Sequence, residues 1–317
     1  MSKVPLVTVA LASRNEVAML VMTVISSVEA FRAAGVHGEV LVVDNSDEAV
    51  HAAVRSALAG QMKDGVVRLL REESPSIAVT TDRAHREARG EHVLYFDSHC
   101  LLGAGTLEKM LDFFARHSGE PIGFLHAPIQ WAHMSSGSRM THFQVNRTRM
   151  GEWAGAKRVK EEQRVTWKGM PHMIRRETYE KIGGLGCCAE HRLGWGIMRY
   201  LGMKPWLLGY ENWAIPEGVV YHFGEWPDEV KPFAQYRNYH KSGEGRVGSA
   251  LAVAAYAFGG EDFLRSEYEA QMKPFFPSAD AALAAARRLG EAERQWMLSN
   301  QVCSINQLFS NPPWATL

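Results

Sequence analysis

The segment YFDSHC, residues 95–100, places chemically active side chains at the end of an apolar, strand-like run. Asp97 and His99 are two residues apart, and side chains with that spacing in an extended chain point to the same side. One carboxylate oxygen and one imidazole nitrogen can begin a site for a divalent metal ion. The alternative is an aspartate that caps the next helix with a histidine beside it. The spacing alone leaves both interpretations open.

An alternation of strand-like and helix-like segments precedes this motif and must position it. Apolar, β-branched runs predict strands over residues 4–11, 39–43, 66–70 and 92–96, and helical periodicity predicts helices over residues 16–34, 47–58 and 77–89. Helices that return the chain to the same edge imply right-handed crossovers and a parallel sheet. Because ligands bind beyond the carboxyl ends of such strands, four junctions are predicted to line a site, at residues 13–16, 44–47, 73–76 and 97–100.

The pattern is less regular in the second half of the chain. Strands are predicted over residues 123–128, 163–174 and 218–223, and helices over residues 177–182 and 197–208. After residue 232 the sequence is helical in character, and an amphipathic helix over residues 279–297 is predicted to be capped by Ser278. We therefore expect an α/β sheet followed by a helical C-terminal tail.

Composition narrows the class of protein. The 317 residues are 46% hydrophobic and 22% charged, which excludes disordered, collagen-like and coiled-coil chains. No charge-free stretch reaches the roughly 18 to 20 residues of a membrane-spanning helix, and the first residues lack the pattern of a signal peptide. We expect a cytoplasmic protein with no membrane partner, and its four cysteines are expected to be reduced thiols.

Charge is balanced overall but uneven along the chain. Lys and Arg number 35, equal to Asp and Glu, whereas residues 139–176 contain ten basic residues and three acidic ones. This segment also contains Trp153 and Trp167. Basic residues with interleaved aromatic side chains suit a polyanion whose bases can be stacked, and a loop that closes over a diphosphate is the alternative.

The order of these motifs resembles the nucleotide-sugar half of a GT-A glycosyltransferase of the family 2 kind. Asn15-Glu16 follows the first strand, DNSD (residues 44–47) follows the second, and DSHC (residues 97–100) follows the fourth. DSHC is similar to the Asp-Ser-His-Cys-Glu motif of polypeptide N-acetylgalactosaminyltransferases, although Leu101 stands where that family has Glu. WKGMPHMIRRETYEKIGGLG and WLLGYENWAIPEGVVYHFG, residues 167–186 and 206–224, resemble the acceptor-side segment and the segment that ends in the third metal-binding histidine.

This resemblance implies a metal ion bound by Asp97, His99 and His222 that holds the donor diphosphate. Oxygen and imidazole ligands suit Mn²⁺ better than Mg²⁺, and a divalent ion stabilises a diphosphate leaving group. For His222 alone, a buried strand histidine is the alternative. The same three residue types also fit the two-His-one-carboxylate site of an iron oxygenase, which we disfavour because the first half lacks many short strands.

The resemblance also implies a set of donor-binding residues. Asp44 lies where the family has the aspartate that accepts the uracil imide proton, so the donor is expected to be a uridine diphosphate sugar. The base and ribose are expected to lie against Ser13, Arg14 and Glu16, with further donor contacts from Asp82 and Ser98. Helix capping is the alternative for this group of polar residues, and it is compatible with binding because helix amino ends face ligands in such folds.

The chain departs from the family where the catalytic base is expected. Family 2 enzymes usually carry Glu-Asp or Asp-Asp shortly after Trp-Gly, but Trp195-Gly196 is followed by Ile-Met-Arg. Glu190 is the candidate replacement, and an exposed loop glutamate is the alternative. Without an assigned base, inversion and retention of the sugar cannot be distinguished from the sequence, and a non-catalytic nucleotide- or carbohydrate-binding module stays open.

The resemblance divides the chain into a nucleotide-sugar half (residues 1–122), an acceptor-side half (residues 123–228) and a helical extension (residues 229–317). The acceptor is expected to contact Trp153, Trp167 and Trp195. The anchorless chain looks like phage-type enzymes that glycosylate hydroxymethylated pyrimidines in DNA, in which the target base must leave the stack. A glycan, protein or small-molecule acceptor is the alternative, and the oligomeric state is not predicted.

Overall fold

The computed structural model describes residues 5–74, 76–131, 139–140, 142–145, 153–157, 159–166, 170–193, 197–223 and 244–313. The strands in these ranges are β1 (Val7–Ser13), β2 (Gly38–Asp44), β3 (Val67–Arg71), β4 (His92–Tyr95), β5 (Cys100–Leu102), β6 (Ile122–His126), β7 (Ile129–Trp131), β8 (Arg139–Met140), β9 (His142–Val145), β10 (Trp153–Lys157), β11 (Gln163–Arg164), β12 (His172–Arg175), β13 (Glu211–Ala214) and β14 (Val220–His222).

The helices in the same ranges are α1 (Ala18–Ala33), α2 (Glu48–Ala57), α3 (Ala59–Lys63), α4 (Ile77–Arg86), α5 (Thr106–Arg116), α6 (Arg176–Lys181), α7 (Cys187–Glu190), α8 (Ile197–Leu207), α9 (Glu244–Glu267), α10 (Ala279–Asn300) and α11 (Ile305–Ser310). A π-helical turn, Tyr268–Met272, directly follows α9. No helix in the described part of the chain is long and apolar enough to cross a membrane.

An eight-stranded sheet in the order β11-β13-β6-β12-β4-β1-β2-β3 forms the centre of the fold. The strands β4, β1, β2 and β3 are mutually parallel, as the alternation of strands and helices predicts. The strand β12 runs antiparallel to both β4 and β6, and β13 is parallel to β6. The predicted α/β architecture with a mostly parallel sheet is confirmed.

Alternate residues of the central strands face two separate apolar cores, because side chains of a strand point to opposite faces in turn. In β2, Leu41 and Val43 pack on one face of the sheet, whereas Val40 and Val42 pack on the other. The first face is covered by α4, α6, α8 and the C-terminal helices, and the second by α1, α2 and α5. Strands buried on both faces explain the nearly continuous apolar runs in the sequence.

A second, four-stranded sheet in the order β5-β14-β7-β8 lies beside the carboxyl end of β4. Its strand β5 begins directly after the motif at residues 97–99. Its strand β14 pairs antiparallel with β5 in a register that sets His222 opposite Cys100. This pairing brings a residue from the second half of the chain to the motif at residues 97–99.

Several predicted boundaries change in the structure. The segment at residues 163–174, predicted as one strand, forms the separate strands β11 and β12, which pair with different neighbours. Helix α5 is an addition to the predicted elements and covers one side of the sheet with its apolar face. The predicted cap is confirmed, because the Ser278 hydroxyl accepts a hydrogen bond from the Ala281 amide at 3.1 Å.

The C-terminal helices share a core with the sheet. Apolar residues of α9 such as Val253 and Phe258 belong to the same buried cluster as Leu41 of β2 and Tyr179 of α6. Strands from beyond residue 122 likewise lie in the same sheet as β1 to β4. The division of the chain into a nucleotide-sugar half, an acceptor-side half and a helical extension, with boundaries after residues 122 and 228, stays a prediction.

Candidate functional site

The structure brings Asp97, His99 and His222 together at the carboxyl end of β4. Asp97 and His99 lie in the turn between β4 and β5, and His222 is the last residue of β14. The Phe223 amide donates to the His99 carbonyl oxygen at 3.0 Å, which extends the β5–β14 pairing up to the motif. The three side chains therefore converge because a strand pairing and a turn meet at one point.

The distances between the three side chains suit coordination of one ion. Asp97 Oδ2 lies 3.3 Å from His222 Nε2 and 3.6 Å from His99 Nε2. One ligand atom from each residue lies within 4.8 Å of the others. Ligand atoms at right angles around an ion at roughly 2.2 Å lie about 3.1 Å apart, close to the observed separations. The donor set of one oxygen and two nitrogens fits a divalent ion that accepts imidazole as well as oxygen ligands, such as Mn²⁺.

The site favours positive charge beside Asp97. Burial raises the pKa of Asp97, but the hydrogen bond from His222 and the charges of both histidines lower it, and the net direction is downward. Burial lowers the pKa of His99, but the hydrogen bond to Glu16 and the charges of Glu16 and Asp97 raise it overall. Either protons on the imidazoles or a bound cation balances these carboxylates, so metal and protons compete for the same atoms.

Helix α1 anchors the turn that carries Asp97 and His99. The Thr23 hydroxyl donates to the Ser98 carbonyl oxygen at 2.8 Å and accepts from the Cys100 amide at 3.2 Å. The side chain of Thr23 is buried. The turn is thus fixed on both sides of His99 by one hydroxyl group.

Glu16 lies beneath the motif at residues 97–99. One carboxylate oxygen is 2.8 Å from His99 Nδ1, and the other accepts from the Ser98 hydroxyl at 2.6 Å. Only 6% of Glu16 is exposed, and Ser98 is buried as well. For Glu16 or Ser98 to contact the donor, the hydrogen bond between the two side chains would have to rearrange. The expected places of Glu16 against the base and ribose, and of Ser98 against the donor, stay predictions.

Asp44 is at the expected place, the carboxyl end of β2, and it is fully buried. Its Oδ2 atom lies 2.6 Å from His51 Nδ1, and its Oδ1 atom accepts from the Ser46 amide at 3.3 Å and from the Ser46 hydroxyl. The Asn15 amide donates to the same Ser46 hydroxyl at 2.7 Å. Asp44 therefore ties the loop after β1 to the loop after β2, and its contact with a nucleobase stays a prediction.

The remaining residues of the loop after β1 lie next to this network. Ser13 is 2% exposed, and its hydroxyl makes no hydrogen bond to the described residues. Arg14 is half-buried. Both lie between the motif at residues 97–99 and Asp44 along the sheet, since β1 pairs with β4 on one side and with β2 on the other. Their roles in donor binding stay predictions.

Asp82 lies in a hydrogen-bond network on α4. Its Oδ1 atom accepts from the Tyr179 hydroxyl at 2.8 Å and from the Leu185 amide at 3.0 Å, and its Oδ2 atom accepts from Arg86 Nε at 2.6 Å. These bonds connect α4 to α6 and to the turn that follows. Both oxygens of Asp82 thus have protein partners, and its expected contact with the donor stays a prediction.

The predicted catalytic and acceptor residues are only partly described. Glu190 is exposed at the end of the short helix α7. Trp153 is the first residue of β10, with a side chain outside the described part of the structure, and Trp167 and Trp195 lie outside the described residues altogether. The expected contacts of the three tryptophans with an acceptor stay predictions.

The fold and the position of this site define a class of protein, the GT-A glycosyltransferases. The family model for "Glycosyltransferase like family 2" matches residues 5–198. The chain belongs to this glycosyltransferase family. A search of curated proteins finds no significant match.

Solved structures share the fold at low sequence identity. GalNAc-T7, in complex with UDP, GalNAc and Mn²⁺, is 14% identical with a TM-score of 0.63, over 98% of this chain and 59% of that one. The mannosyltransferase PcManGT from Pyrobaculum calidifontis, in complex with GDP-Man and Mn²⁺, is 21% identical with a TM-score of 0.55, over 94% of this chain and 79% of that one. TarS 1-349 from S. aureus, in complex with UDP-GlcNAc, is 14% identical with a TM-score of 0.50, over 92% of each chain.

Proposed function

We propose that the chain is a metal-dependent glycosyltransferase that moves a sugar from a nucleotide-sugar donor, of the uridine diphosphate class, to a hydroxyl group. The observation that carries the proposal is the convergence of Asp97, His99 and His222 at the carboxyl end of β4. This edge of a parallel sheet is where α/β folds bind their ligands. The iron oxygenase hypothesis loses its support, since residues 5–198 match a glycosyltransferase family.

The chemistry of the reaction explains why these ligands would be needed. A divalent ion at this site would neutralise the diphosphate as it leaves and hold it in place. Asp97 supplies an anionic oxygen, and the two imidazoles supply neutral nitrogens, so the ion would keep net positive charge for the donor. The GalNAc-T7 and PcManGT structures contain Mn²⁺ together with a nucleotide or nucleotide sugar, which supports Mn²⁺ as the ion.

A screen of nucleotide sugars tests the proposal. The protein is incubated with UDP-sugars, GDP-sugars and other nucleotide sugars in the presence of Mn²⁺, Mg²⁺ or EDTA. The nucleoside diphosphate that is released is then measured. We expect release from a uridine diphosphate sugar with Mn²⁺ and none with EDTA. Equal release in EDTA would contradict metal dependence, and release only from another nucleotide class would contradict the assignment of the donor.

Asp44 is proposed to determine the preference for uridine. Its buried carboxylate contacts His51 Nδ1 and accepts from the Ser46 hydroxyl, and a bound base would have to exchange with one of these partners. Changing an acceptor to an amide leaves partners mispaired and costs about 1 to 3 kcal/mol. We expect Asp44→Asn to weaken the binding of UDP more than that of GDP. Unchanged UDP affinity in a folded variant would assign Asp44 to the loop network alone.

Glu190 is proposed as the group that accepts the proton of the acceptor hydroxyl. Its exposure makes it accessible to an acceptor, and it lies in the predicted acceptor-side half of the chain, residues 123–228. We expect Glu190→Gln to abolish transfer while UDP binding is retained, with the exposed Glu180→Gln on α6 as the control. Full transfer by Glu190→Gln would exclude this role.

The acceptor is proposed to be a hydroxymethylated pyrimidine in DNA. The support is the excess of ten basic over three acidic residues in residues 139–176, with Trp153 and Trp167 among them. In the described part of this segment, Arg164 pairs with Glu211 and Arg176 with Glu180, while Lys160 is exposed.

Transfer to DNA is tested directly by nucleoside mass spectrometry. The protein is incubated with the active donor and with DNA that contains 5-hydroxymethylcytosine or 5-hydroxymethyluracil, and with unmodified DNA as the control. We expect a glycosylated nucleoside from the modified DNA only, and steeply salt-dependent binding that flattens when Lys157, Arg158 and Lys160 are replaced together. Donor hydrolysis without transfer to modified DNA would favour a glycan, protein or small-molecule acceptor.

A further inference from the structure

We propose that Glu16 is the positioning residue of the metal centre, which orients His99 and supplies the second negative charge of the site. The inference rests on the proposed metal-dependent function. The sequence does not predict this role for Glu16. The two bonds of Glu16, its burial and the charge balance around Asp97 support it.

The two bonds of Glu16 go to consecutive residues of the metal-binding motif. The Ser98 hydroxyl donates to one oxygen at 2.6 Å, and His99 Nδ1 lies 2.8 Å from the other. A carboxylate that has a separate partner on each oxygen has a fixed orientation. Hydrogen bonds to an ionised group are stronger than those between neutral groups. Glu16 therefore holds the turn through Ser98 and the ring through His99.

The bond to His99 determines which ring nitrogen can bind a metal ion. An ionised carboxylate only accepts hydrogen bonds, so Nδ1 of His99 must carry the proton. In the neutral ring, Nε2 then carries the lone pair, and this atom lies 3.6 Å from Asp97 Oδ2. A carboxylate that orients a metal-binding histidine in this way also raises its basicity.

Charge balance gives Glu16 a second effect. The side chains of Glu16 and His99 are 5% and 6% exposed, so the site has little water to screen charge. Glu16 and Asp97 place two carboxylates next to the imidazoles, and of the two only Asp97 would contact the ion. A buried carboxylate without a cation nearby is unfavourable, and the ion removes this cost. Glu16 thereby strengthens ion binding without touching the ion.

The test measures Mn²⁺ binding to Glu16→Gln and to a matched variant. Glutamine keeps the length of the side chain and one accepting oxygen but removes the charge. Glu39→Gln is the control, since Glu39 is also buried and accepts from Thr8, Arg68 and the Arg89 amide away from the metal-binding motif. The Kd for Mn²⁺ alone is measured by calorimetry and by the spin-resonance signal of free Mn²⁺, and thermal unfolding reports on folding.

We expect Glu16→Gln to weaken Mn²⁺ binding by about 10- to 100-fold, the usual effect of removing a carboxylate behind a metal-binding histidine. Glu39→Gln is expected to lower the melting temperature and leave the Kd for Mn²⁺ unchanged. Equal Mn²⁺ affinity in Glu16→Gln and wild type would overturn the inference while leaving the metal centre intact. Absence of Mn²⁺ binding by the wild type would instead overturn the proposed function, and this inference with it.

A measurement on the wild type keeps the inference testable if Glu16→Gln fails to fold. Nitrogen-15 spectra of the histidine rings are recorded with Zn²⁺, a diamagnetic ion, and His99 is assigned by its loss in His99→Ala. We expect a proton on Nδ1 of His99 and a metal-shifted Nε2. A proton on Nε2, with Nδ1 toward the metal, would overturn the assignment of Glu16.

Discussion

Asp97 is the residue on which both imidazoles of the candidate metal site converge. Its Oδ2 atom is the common partner of His99 and His222, and its pKa is lowered by their contacts despite burial. Asp97→Asn keeps the shape of the side chain and removes the anionic ligand. We expect this variant to bind Mn²⁺ more than about 100-fold more weakly, since loss of a direct ligand exceeds the roughly 10- to 100-fold effect of an outer contact.

Calorimetric titration of Mn²⁺ into the variant measures the change. Asp112→Asn is the matched control because Asp112 is an exposed carboxylate on α5, with 61% of its side chain accessible. Both variants are expected to unfold at temperatures close to that of the wild type. Wild-type Mn²⁺ affinity in Asp97→Asn would remove Asp97 from the metal centre.

The sequence predicts part of this site from local spacing. The two-residue spacing of Asp97 and His99 predicts that their side chains converge, but the rule assumes an extended chain. In the structure both residues lie in the turn after β4, and the turn brings them together. His222 follows only from resemblance to a family, because the β5–β14 register that places it opposite Cys100 is a long-range pairing. The contact of Glu16 with His99 likewise depends on how a loop closes against a turn, which no local pattern encodes.

At the level of the elements, the sequence predicts the first half of the chain best, where strands and helices alternate. Strands buried on both faces and amphipathic helices between them predict β1 to β4 with their crossovers. The reversal of direction at β12 has no local signal, because antiparallel insertion between β4 and β6 is decided by tertiary packing. Helix α5 lies outside the predicted elements although its buried residues recur with helical spacing at Thr106, Met110 and Phe113.

The packing of α4 against β12 predicts a dependence of stability on pH. His85 of α4 is fully buried, its Nδ1 donates to the Thr81 carbonyl at 2.8 Å, and its Nε2 accepts from His172 Nε2 at 3.0 Å. Burial lowers the pKa of His85 from 6.5 to about 4, against the bond to Thr81, which raises it. The titratable and charged groups around this ring are His172 of β12, Tyr95 of β4, Tyr179 of α6 and Arg86 of α4.

The sign follows from the lower pKa in the folded state. Between pH 6.5 and pH 4, His85 binds a proton in the unfolded chain but not in the folded protein. Its contribution to the free energy of unfolding is therefore fully present above pH 6.5 and is lost as the pH falls toward 4. From pH 7 to pH 5, His85 is expected to reduce the free energy of unfolding by about 2 kcal/mol. Urea unfolding at both values should show a smaller loss for His85→Asn than for wild type, and equal losses would contradict this assignment.

At the level of the whole molecule, a buried ion pair joins the C-terminal helices to the glycosyltransferase fold. Lys204 of α8 lies 2.7 Å from Glu293 of α10, and their side chains are 1% and 9% exposed. Glu293 also accepts from the Cys187 amide at 3.3 Å, and Lys204 donates to the Gly184 carbonyl at 3.1 Å. The helical region therefore holds the turn that leads into α7.

Removing one partner of this pair should be more destabilising than removing both. Lys204→Met leaves Glu293 buried without its cation, and we expect a loss of about 3 to 5 kcal/mol in the free energy of unfolding. The double variant Lys204→Met with Glu293→Gln should recover part of that loss. Urea unfolding of the two proteins measures the difference, and a double variant less stable than Lys204→Met would contradict the account.

The binding of UDP with and without Mn²⁺ tests the central claim most directly. Calorimetric titrations compare wild type, His222→Ala and His37→Ala. The His37→Ala variant is the control, because His37 is exposed and remote in sequence from residues 97–99 and 222. We predict that UDP binds wild type and His37→Ala in Mn²⁺ but not in EDTA, and that His222→Ala loses the Mn²⁺-dependent binding while it stays folded. Equal UDP affinity in Mn²⁺ and in EDTA, or wild-type affinity in His222→Ala, would contradict a metal centre that holds the donor.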